Sequence, residues 1–491
     1  MPLRICFVTS ETTPYAKTGG LADVSGALLK YLHAGGHDIR LFMPAYAAID
    51  RGRFGLEPVP GLQNLSVQIG YQRFEFSVLS PRGPGARDVV YMIDCPEAFG
   101  RAALYTTDPD EHRRFLLLTH AAFLCCQNLR FGPQIMHFND WHSAAGALLR
   151  RAVYSRDRLF QDARTVLTVH NIGYQGVIGA ALLTDLLPSG DAALLDQPTL
   201  AAGQINLLGT GLAHADLITT VSPTYAREIQ TPQYGMGLDA VLRARGAAVI
   251  GILNGVDYDD WDPRHDRYLP LQFSPDSLER KSQLKQQLLQ RLQLDPSAST
   301  ALIGCVSRLA EQKGFDLLFE ALPRLISGRA FNLVVLGSGE ARYEAFLSRL
   351  QRLFPARVHF HAGYSDELAH WIEAASDMFL MPSRYEPCGL NQMYSLRYGT
   401  VPVVRRTGGL ADSVRHFEPA TANDGTGVVF NDYDAAAVTW AIGYALDLYQ
   451  NPSAWQRLVR NGMAQDFSWS RQVPRYIEAY ERLLAGKSVT T

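Results

Sequence analysis

The chain has 491 residues, of which 47% are hydrophobic and 19% are charged. This composition is typical of a globular enzyme, and the length exceeds the roughly 250 to 300 residues at which a single hydrophobic core stops growing, so we expect more than one domain. The 46 basic and 48 acidic residues give a formal net charge of −2. Such a balance provides no overall field for nucleic acid or an anionic membrane, and neither is expected as a partner.

The cysteines and the N-terminus indicate the cellular compartment. The six cysteines are scattered without CxxC spacing, which favours reduced thiols. The opening run LRICFV is shorter than the apolar core of a signal peptide, and no apolar run reaches the ~20 residues that span a bilayer. The sequence therefore predicts a cytoplasmic protein.

Short apolar runs alternate with helical patterns along the chain. In the first half the runs are LRICFVT, DIRLFMP, VVYMID, IMHF, TVLTV and LITTV, and in the second half they are ALIGCVS, FNLVVLG, VHFHAG, MFLMPS and VPVV. Near-continuous apolar strands that are separated by helices predict parallel sheets covered on both faces. The predicted fold class is α/β, with two Rossmann-like, doubly wound domains.

A connector rich in Gly, Asp and Pro marks the boundary between the two predicted domains. The stretch AVIGILNGVDYDDWDP covers residues 248–263, and an amphipathic helix with leucines at helical spacing follows at 278–294. We place the N-terminal domain at 1–250 and the C-terminal domain at 251–467. A closing helix, at 468–487, is expected to pack back on the N-terminal domain.

The sequence TGGLAD occurs twice, as KTGGLADV at 17–24 and as RTGGLADS at 406–413. In both copies a strand, a cation and a glycine pair precede a helical pattern; after the second copy Leu410, Val414 and Phe417 continue the apolar face. A helix N-terminus attracts anions, and a missing Cβ lets a ligand approach the backbone. The alternative is that the glycines only make a tight turn between strand and helix. The residues that could bind an anion are Lys17, Gly19 and Gly20 in the first copy and Thr407, Gly408 and Gly409 in the second.

Other polar residues also follow predicted strands. Asp140 and His142 follow IMHF, and His170 follows TVLTV; Asn254, Arg308 and Glu386 follow later strands. The carboxyl ends of parallel strands are where ligands bind to open α/β sheets. Two such edges that face each other would form one deep cleft.

Within SRLAEQKG, Arg308 and Lys313 could hold a diphosphate through charge-assisted hydrogen bonds of ~1.5–3 kcal/mol each. The alternative is a pair of solvated surface cations. In YEPCGLNQ, the Glu386 carboxylate suits paired sugar hydroxyls, although it could also be a charge at a helix N-terminus worth ~0.3–1 kcal/mol. Cys388 has no local histidine, which favours a packed thiol over a nucleophile.

The motifs HFNDWHS and TVHNIGYQG combine histidines with polar and aromatic residues, a mixture that suits carbohydrate. Metal binding is the alternative, but the spacing of His137 and His142 fits no zinc pattern. LGSGEAR has Arg342 where a dinucleotide fingerprint requires its third glycine. We therefore expect neither a metal nor a cofactor.

The motifs in this order resemble bacterial glycogen synthases and plant starch synthases, retaining glucosyltransferases of the two-Rossmann GT-B type. The resemblance runs from KTGGLADV through HFNDWHS, TVHNIGYQG, VSPTYAREI, NGVDYDDWDP, SRLAEQKG and EPCGLNQ to RTGGLADSV, and thus covers essentially the whole chain. It implies transfer of glucose from ADP-glucose to the non-reducing end of an α-1,4-glucan such as glycogen, without a metal.

The resemblance also implies roles for single residues. Arg308 and Lys313 would clamp the diphosphate, Glu386 would bind glucose hydroxyls, and His170 would lie beside the 6-hydroxyl and the reacting carbon. Asp140 and Asn254 resemble polar groups of the active site, and Tyr394 stands where related transferases often have a glutamate for the ribose. The remaining nucleotide-sugar contacts would come from Lys17, Gly19, Gly20, Asp23, Cys388, Gly389, Leu390, Thr407, Gly408 and Gly409.

Alternatives to this function are a UDP-glucose-dependent GT-B transferase and a catalytically silent glucan-binding homologue. For the stereochemistry, we prefer attack by the glucan hydroxyl on the same face that the diphosphate leaves, over a covalent intermediate on Asp140 or Glu386. The sequence does not predict the oligomeric state.

Overall fold

The computed structural model describes residues 2–83, 89–297, 300–421 and 423–487. The chain divides into two compact units. Unit 1 comprises Met1–Ile252 and Trp469–Thr491, and unit 2 comprises Leu253–Ser468.

Unit 1 contains strands β1 to β12 and helices α1 to α9 and α18. The strands are β1 (Arg4–Val8), β2 (Asp38–Pro44), β3 (Leu56–Pro58), β4 (Leu65–Ile69), β5 (Gln72–Pro81), β6 (Val90–Asp94), β7 (Ile135–Asn139), β8 (Arg164–Val169), β9 (Val177–Gly179), β10 (Gln204–Asn206), β11 (Leu217–Thr220) and β12 (Val249–Gly251). The helices are α1 (Gly20–Ala34), α2 (Pro96–Phe99), α3 (Glu111–Asn128), α4 (Asp140–Ala152), α5 (Leu183–Leu186), α6 (Gln197–Ala201), α7 (Leu207–His214), α8 (Pro223–Glu228), α9 (Asp239–Arg245) and α18 (Trp469–Leu484), with 3₁₀ turns at Ala180–Leu182, Ala192–Leu194 and Gly246–Ala248.

The main sheet of unit 1 runs in the order β12-β11-β8-β7-β1-β2-β6-β5-β3, and β4 also pairs with β5. Every pair from β12 to β6 is parallel, whereas β5 is antiparallel to β6, β3 and β4. Six of these seven parallel strands coincide with the apolar runs, and β12 lies in the stretch 248–263 that marks the domain boundary. The antiparallel extension was not predicted, because the outer strands are largely half-exposed and lack a continuous apolar run.

Unit 2 contains a second parallel sheet, in the order β15-β14-β13-β16-β17-β18. Its strands are β13 (Ala301–Val306), β14 (Phe331–Gly337), β15 (Val358–Ala362), β16 (Met378–Met381), β17 (Val401–Arg405) and β18 (Val428–Phe430). Its helices are α10 (Leu278–Arg291), α11 (Phe315–Gly328), α12 (Ala341–Leu353), α13 (Asp366–Ala375), α14 (Asn391–Arg397), α15 (Gly408–Ser413), α16 (Ala435–Tyr449) and α17 (Pro452–Met463), with a 3₁₀ turn at Glu311–Lys313. The predicted α/β class with two parallel sheets is confirmed.

Helix α18 belongs to unit 1 although the chain reaches it from unit 2. It buries Val473, Tyr476 and Tyr480, and the Tyr480 hydroxyl lies 2.7 Å from Nδ1 of His137 on β7. Ile477 on the same helix is only half-buried. Among the described residues, no helix has both the length and the apolar character that a membrane span requires.

Candidate active site

In unit 1, the polar residues of interest follow three adjacent strands. Strand β1 pairs with β7, and β7 pairs with β8, all in parallel. The loop that contains KTGG follows β1, Asp140 follows β7 and His170 follows β8. Parallel pairing therefore brings these residues to one edge of the sheet, which we call the first strand-end site.

A buried carboxylate holds the KTGG loop from inside. One oxygen of Glu11 accepts hydrogen bonds from the backbone amides of Thr18 and Gly19, the latter at 3.3 Å. The other oxygen accepts from the hydroxyl groups of Thr18, at 2.7 Å, and Tyr105, at 2.5 Å. Glu11 is only 3% exposed. The Gly19 amide, which the sequence assigned to an external anion, is thus bonded to the protein's own carboxylate.

The glycines of this loop leave open space above the backbone. A Cβ added to Gly19 or Gly20 would meet no described atom within 4 Å. The Gly20 amide begins α1 and has no hydrogen-bond partner among the described residues. Lys17 forms an exposed ion pair of 2.8 Å with Asp23 on the first turn of the helix. A ligand at this helix N-terminus can therefore reach the Gly20 amide and the Lys17 ammonium group.

Asp140 is the first residue of α4 and has a left-handed backbone with φ of 51°. Its Oδ1 accepts hydrogen bonds from the backbone amides of His170, at 2.7 Å, and Asn171, at 3.3 Å. Burial raises the pKa of Asp140 to about 7, although the two amide bonds oppose this shift. The Asp140 carboxyl thus holds the loop after β8, and its Oδ1 already has two protein donors.

His170 is buried and its ring contacts the last residue of β7. Its Nε2 lies 3.0 Å from Oδ1 of Asn139. Burial lowers the pKa of His170 to about 3, so the ring is neutral at physiological pH. A neutral imidazole both donates and accepts one hydrogen bond, which suits contact with a hydroxyl group.

The two histidines considered for a metal have separate structural environments. His137 lies within β7 and bonds through its second nitrogen, Nε2, to the Thr168 hydroxyl at 2.6 Å. His142 packs against the rings of Tyr105 and Phe115, at centroid distances of 4.7 and 4.5 Å. Within the part of the chain that the structure describes, no three residues of the types His, Cys, Asp and Glu are grouped to hold a metal ion.

In unit 2, strands β13, β16 and β17 are adjacent and parallel. Arg308 and Lys313 follow β13, Glu386 follows β16 and the RTGG turn follows β17. We call this edge the second strand-end site. It also includes Gly337 and Gly339, at the end of β14.

An ion pair occupies the centre of the second strand-end site. Lys313 Nζ donates to Oε2 of Glu386 at 2.6 Å, and the Ser383 hydroxyl donates to the same oxygen at 3.0 Å. The side chain of Glu386 is 5% exposed and that of Lys313 is 19% exposed. Burial of the pair strengthens it relative to a surface ion pair, and it leaves Glu386 Oε1 for another donor.

Arg308 is exposed, and among the described residues its guanidinium donates one hydrogen bond, of 3.2 Å, to the side-chain oxygen of Gln312. The guanidinium has five donors in a planar fork, which suits bidentate contact with phosphate. The structure therefore leaves most of its donors to solvent or to a ligand.

The RTGG turn is packed against the loop that follows Glu386. A Cβ on Gly408 would clash with the carbonyl oxygen of Glu386, and a Cβ on Gly409 would clash with that of Cys388. The Gly409 amide donates to the carbonyl oxygens of Glu386 and Pro387, at 3.1 and 3.2 Å. In this copy the tight-turn interpretation is favoured, and we correct the expectation that the Gly409 amide binds an anion.

Helix α15 after this turn is also shorter than expected. It ends at Ser413, so Val414 and Phe417 are buried but lie outside the helix. The reason is that residues 416 and 427 form a parallel bridge, which pulls the chain into an extended path toward β18.

The loop at 388–390 is held by Asn254. The backbone amide of Asn254 donates to the sulfur of Cys388. Burial raises the pKa of this thiol, which favours a packed, protonated thiol over a nucleophilic thiolate. Oδ1 of Asn254 is buried without a partner among the described residues. Gly389 has φ of 71°, which explains a glycine there, and Leu390 is half-exposed next to it.

Tyr394 on α14 does not present a polar group comparable to a glutamate. Its ring stacks on Trp261 with a centroid distance of 4.0 Å and an interplanar angle of 1°. Trp261 also stacks on the ring of His370, with a centroid distance of 3.8 Å. Tyr394 is thus a member of a buried aromatic stack in unit 2.

The two parallel-sheet units with cations and carboxylates at their strand ends are those of a two-domain α/β glycosyltransferase. Residues 4–244 match the family model for the starch synthase catalytic domain, and residues 289–462 match that for glycosyl transferases group 1. The glycogen synthase of Koribacter versatilis is 43% identical over 484 residues, which are 98% of each chain. A glycogen synthase of Anaeromyxobacter dehalogenans is 44% identical over 488 residues, which are 98% of this chain and all of that one.

Solved structures give the same result. The catalytic domain of starch synthase IV from Arabidopsis thaliana, bound to ADP and acarbose, matches with a TM-score of 0.90 and 31% identity over 99% of this chain and all of that one. A sucrose-phosphate synthase from Thermosynechococcus elongatus shares the fold, with a TM-score of 0.60 and 18% identity. The chain belongs to the glycogen synthase family and is a glycosyltransferase that uses a nucleotide-sugar donor and a glucan acceptor.

Sequence reasoning missed the residues that support the predicted ones. Glu11, Asn139 and Ser383 bond to predicted site residues, and Tyr105 bonds to Glu11, but none of the four was predicted from the sequence. Glu11 lies in the polar loop directly after β1, a position that could have identified it. The contact with Tyr105 joins residues 94 positions apart and could not be read from spacing.

Proposed function

We propose that this enzyme transfers glucose from ADP-glucose to the non-reducing end of an α-1,4-glucan, with retention of configuration. The observation that carries the proposal is the identity of more than 40% with glycogen synthases over nearly the whole chain. The ADP in the similar Arabidopsis structure supports an adenine nucleotide as the donor base. The cytoplasmic location stays a prediction.

We assign the donor diphosphate to Arg308 and Lys313. Cleavage of the bond from the anomeric carbon to the diphosphate builds negative charge on the leaving oxygens, and preorganised cations stabilise that charge. Arg308 has donors to spare, and Lys313 is already oriented by its ion pair with Glu386. The Lys313 ammonium can keep this pair and still present further N–H groups, since it has three donors.

We assign the sugar hydroxyls to Glu386 and His170. The free oxygen of Glu386 can accept hydrogen bonds from two neighbouring hydroxyl groups, because its other oxygen is held by Lys313 and Ser383. The neutral ring of His170 can accept one more. Lys17 and the Gly20 amide supply the positive potential of the first strand-end site.

We further propose that the glucan hydroxyl attacks from the same face that the diphosphate leaves. A carboxylate nucleophile would need an oxygen aimed at the anomeric carbon, and each of the two candidate carboxyl groups has its orientation fixed through one oxygen by protein donors. Oδ1 of Asp140 accepts from two amides, and Oε2 of Glu386 accepts from Lys313 and Ser383. These bonds favour positioning roles for both carboxyl groups, and trapping of a glucosyl-carboxylate on the wild-type enzyme would contradict same-face attack.

The purified enzyme with glycogen and either ADP-glucose or UDP-glucose tests the proposal, with release of nucleoside diphosphate as the measurement. We expect release from ADP-glucose and chain elongation of the glycogen. Faster release from UDP-glucose would show that UDP-glucose, and not ADP-glucose, is the preferred donor. No release from either donor would contradict the proposed reaction.

A further inference from the structure

The side chain of Asn139 joins two strand ends of unit 1. It is the last residue of β7 and is 1% exposed. Its Nδ2 donates to the carbonyl oxygen of Val8, the last residue of β1, at 3.0 Å. Its Oδ1 lies 3.0 Å from Nε2 of His170, the first residue after β8. The amide thus bridges the strands on both sides of its own.

The Val8 contact decides which atom of the Asn139 amide faces the histidine. A backbone carbonyl can only accept, so the amide nitrogen has to face Val8 and the amide oxygen has to face His170. The amide oxygen is itself only an acceptor. Nε2 of His170 must therefore carry the proton, and in a neutral ring Nδ1 is then left with its lone pair.

The backbone around Asn139 is held independently of the ring contact. The backbone amide of Asn139 donates to the Ser143 hydroxyl oxygen at 2.6 Å. The Ser143 hydroxyl group also lies 3.2 Å from the Val8 carbonyl oxygen. The backbone of His170 is held separately by Asp140. The side chain of Asn139 therefore orients the His170 ring without fixing the His170 backbone.

Nδ1 of His170 has no hydrogen-bond partner among the described residues, and the residue is 8% exposed. Nδ1 is not fully enclosed by the protein, so water or a ligand can donate a hydrogen bond to it. The ring is neutral at physiological pH, so the lone pair is available there. A hydroxyl group is the donor that this position lacks.

We propose that Asn139 is a positioning residue that holds His170 as the Nε2–H tautomer, so that Nδ1 accepts a hydrogen bond from a hydroxyl group of the transferred sugar. The tautomer follows from contacts within unit 1, whereas the sugar contact rests on the proposed function. The two parts can therefore be tested separately.

The tautomer is read from long-range ¹H–¹⁵N spectra of the enzyme labelled at histidine, without substrate. The chain has 13 histidines, so His170→Gln identifies the signal by its loss. We expect a protonated Nε2 and an unprotonated, downfield-shifted Nδ1 at neutral pH. The opposite tautomer, or an imidazolium ring, would overturn the proposal.

Two variants separate the ring contact from the general integrity of the sheet edge. Asn139→Ala removes the acceptor, and we expect it to mix the two tautomers and to lower kcat/KM by ~10²-fold through misplacement of the ring. Ser143→Ala is the control for the backbone of this strand end, because it removes the hydroxyl group that bonds to the Asn139 backbone and to the Val8 carbonyl oxygen but leaves the side-chain amide of Asn139 in place. A wild-type ring signal in N139A, or an equal disturbance in S143A, would contradict the role of Asn139.

The sugar contact is tested by adding ADP-glucose, without acceptor, to the labelled enzyme. We expect an upfield shift of Nδ1 when the hydroxyl donates to it. Saturated binding, verified by calorimetry, with no shift of Nδ1 would remove the sugar contact from the proposal. Failure of ADP-glucose to bind would instead contradict the proposed donor, while the tautomer in the free enzyme would still stand.

Discussion

The two copies of TGGLAD have the same sequence and different surroundings. In the first copy, residues 18–20 are exposed and the glycines border open space. In the second copy, residues 407–409 are buried and the glycines press against backbone carbonyls of the loop at 386–388. The first copy begins a helix that continues to Ala34, whereas the helix of the second copy ends at Ser413.

The amide groups of the two copies also have different acceptors. The Gly19 amide donates to the side chain of Glu11, and the Gly409 amide donates to main-chain carbonyls. Each of the two interpretations that the sequence left open is therefore favoured for one copy. The first glycine pair borders open space, and the second provides close packing between two loops. Identical short motifs can thus serve different physical needs.

The largest expected effect concerns the source of positive charge in the second strand-end site. If the packed turn has no amides to spare, cations must stabilise the leaving diphosphate. We expect Arg308→Ala to lower kcat by ~10²–10³-fold, the scale for loss of one preorganised donor. Steady-state kinetics with ADP-glucose measure this, and Arg352→Ala, another exposed arginine of unit 2, is the control. Near-normal turnover in R308A would contradict this role of Arg308 and would indicate that the RTGG turn binds the diphosphate.

Alanine substitution of the glycines tests the comparison directly. Gly408 has φ of 43° and no room for a Cβ, so Gly408→Ala should destabilise unit 2 by about 2–4 kcal/mol through overpacking and backbone strain. Gly20→Ala should leave the thermal midpoint within experimental error and raise KM for ADP-glucose, because its Cβ would enter the ligand space. Calorimetry with kinetics distinguishes these outcomes. Equal destabilisation by both substitutions would remove the contrast between the copies.

The next prediction concerns the carboxylate that holds only the first copy. Glu11→Ala removes the acceptor for four donors around the KTGG loop, and we expect kcat/KM to fall by about 10–10²-fold as the loop loses its position. Glu11→Gln keeps a carbonyl oxygen for the amides and an NH₂ group for the two hydroxyl oxygens, so its loss should be smaller. An equal loss in E11Q and E11A would show that the charge, and not the geometry, matters.

The smallest expected effect is a pH dependence of stability from Asp140. The pKa of this carboxyl is about 7 when folded and ~3.9 when unfolded, so the folded state binds the proton more tightly. Stability is therefore lost as the pH rises from 5 to 8, by an amount on the order of 2 kcal/mol. Asp140→Asn retains the acceptor oxygen and should remove this loss. Denaturant unfolding of both proteins at pH 5 and pH 8 measures the difference, and parallel pH profiles would contradict the raised pKa.

Much of the fold could be predicted because buried parallel strands have a strong local signature. Runs such as RICFV and ALIGCV are apolar at nearly every position, and each one is a central strand. Strands β3 and β4 escaped prediction because edge strands are half-exposed and their sequences resemble loops. The early end of α15 also escaped, because Leu410, Val414 and Phe417 keep a helical spacing that the bridge at 416 and 427 overrides.

The candidate site was predictable to the extent that its residues follow strands directly. Asp140, His170, Arg308 and Glu386 each follow a strand, and strand pairing brings them to the two edges. Their partners were not predictable from spacing, because Asn139 bonds to a ring 31 positions away and Tyr105 reaches Glu11 from 94 positions away. Side-chain contacts between segments far apart in sequence leave no periodic signal.

By itself, the sequence determined the α/β class, the two parallel sheets, the family and the positions of the polar residues along the chain, because burial imposes a composition on each strand and each turn. The tertiary structure alone decided which glycine pair borders open space, which amides already have acceptors and which nitrogen of His170 is left to a ligand. These properties depend on atoms that other segments place nearby, and hydrogen bonds and steric contacts act over only a few ångströms. A motif therefore states which groups are available, and its neighbours in space determine how they are used.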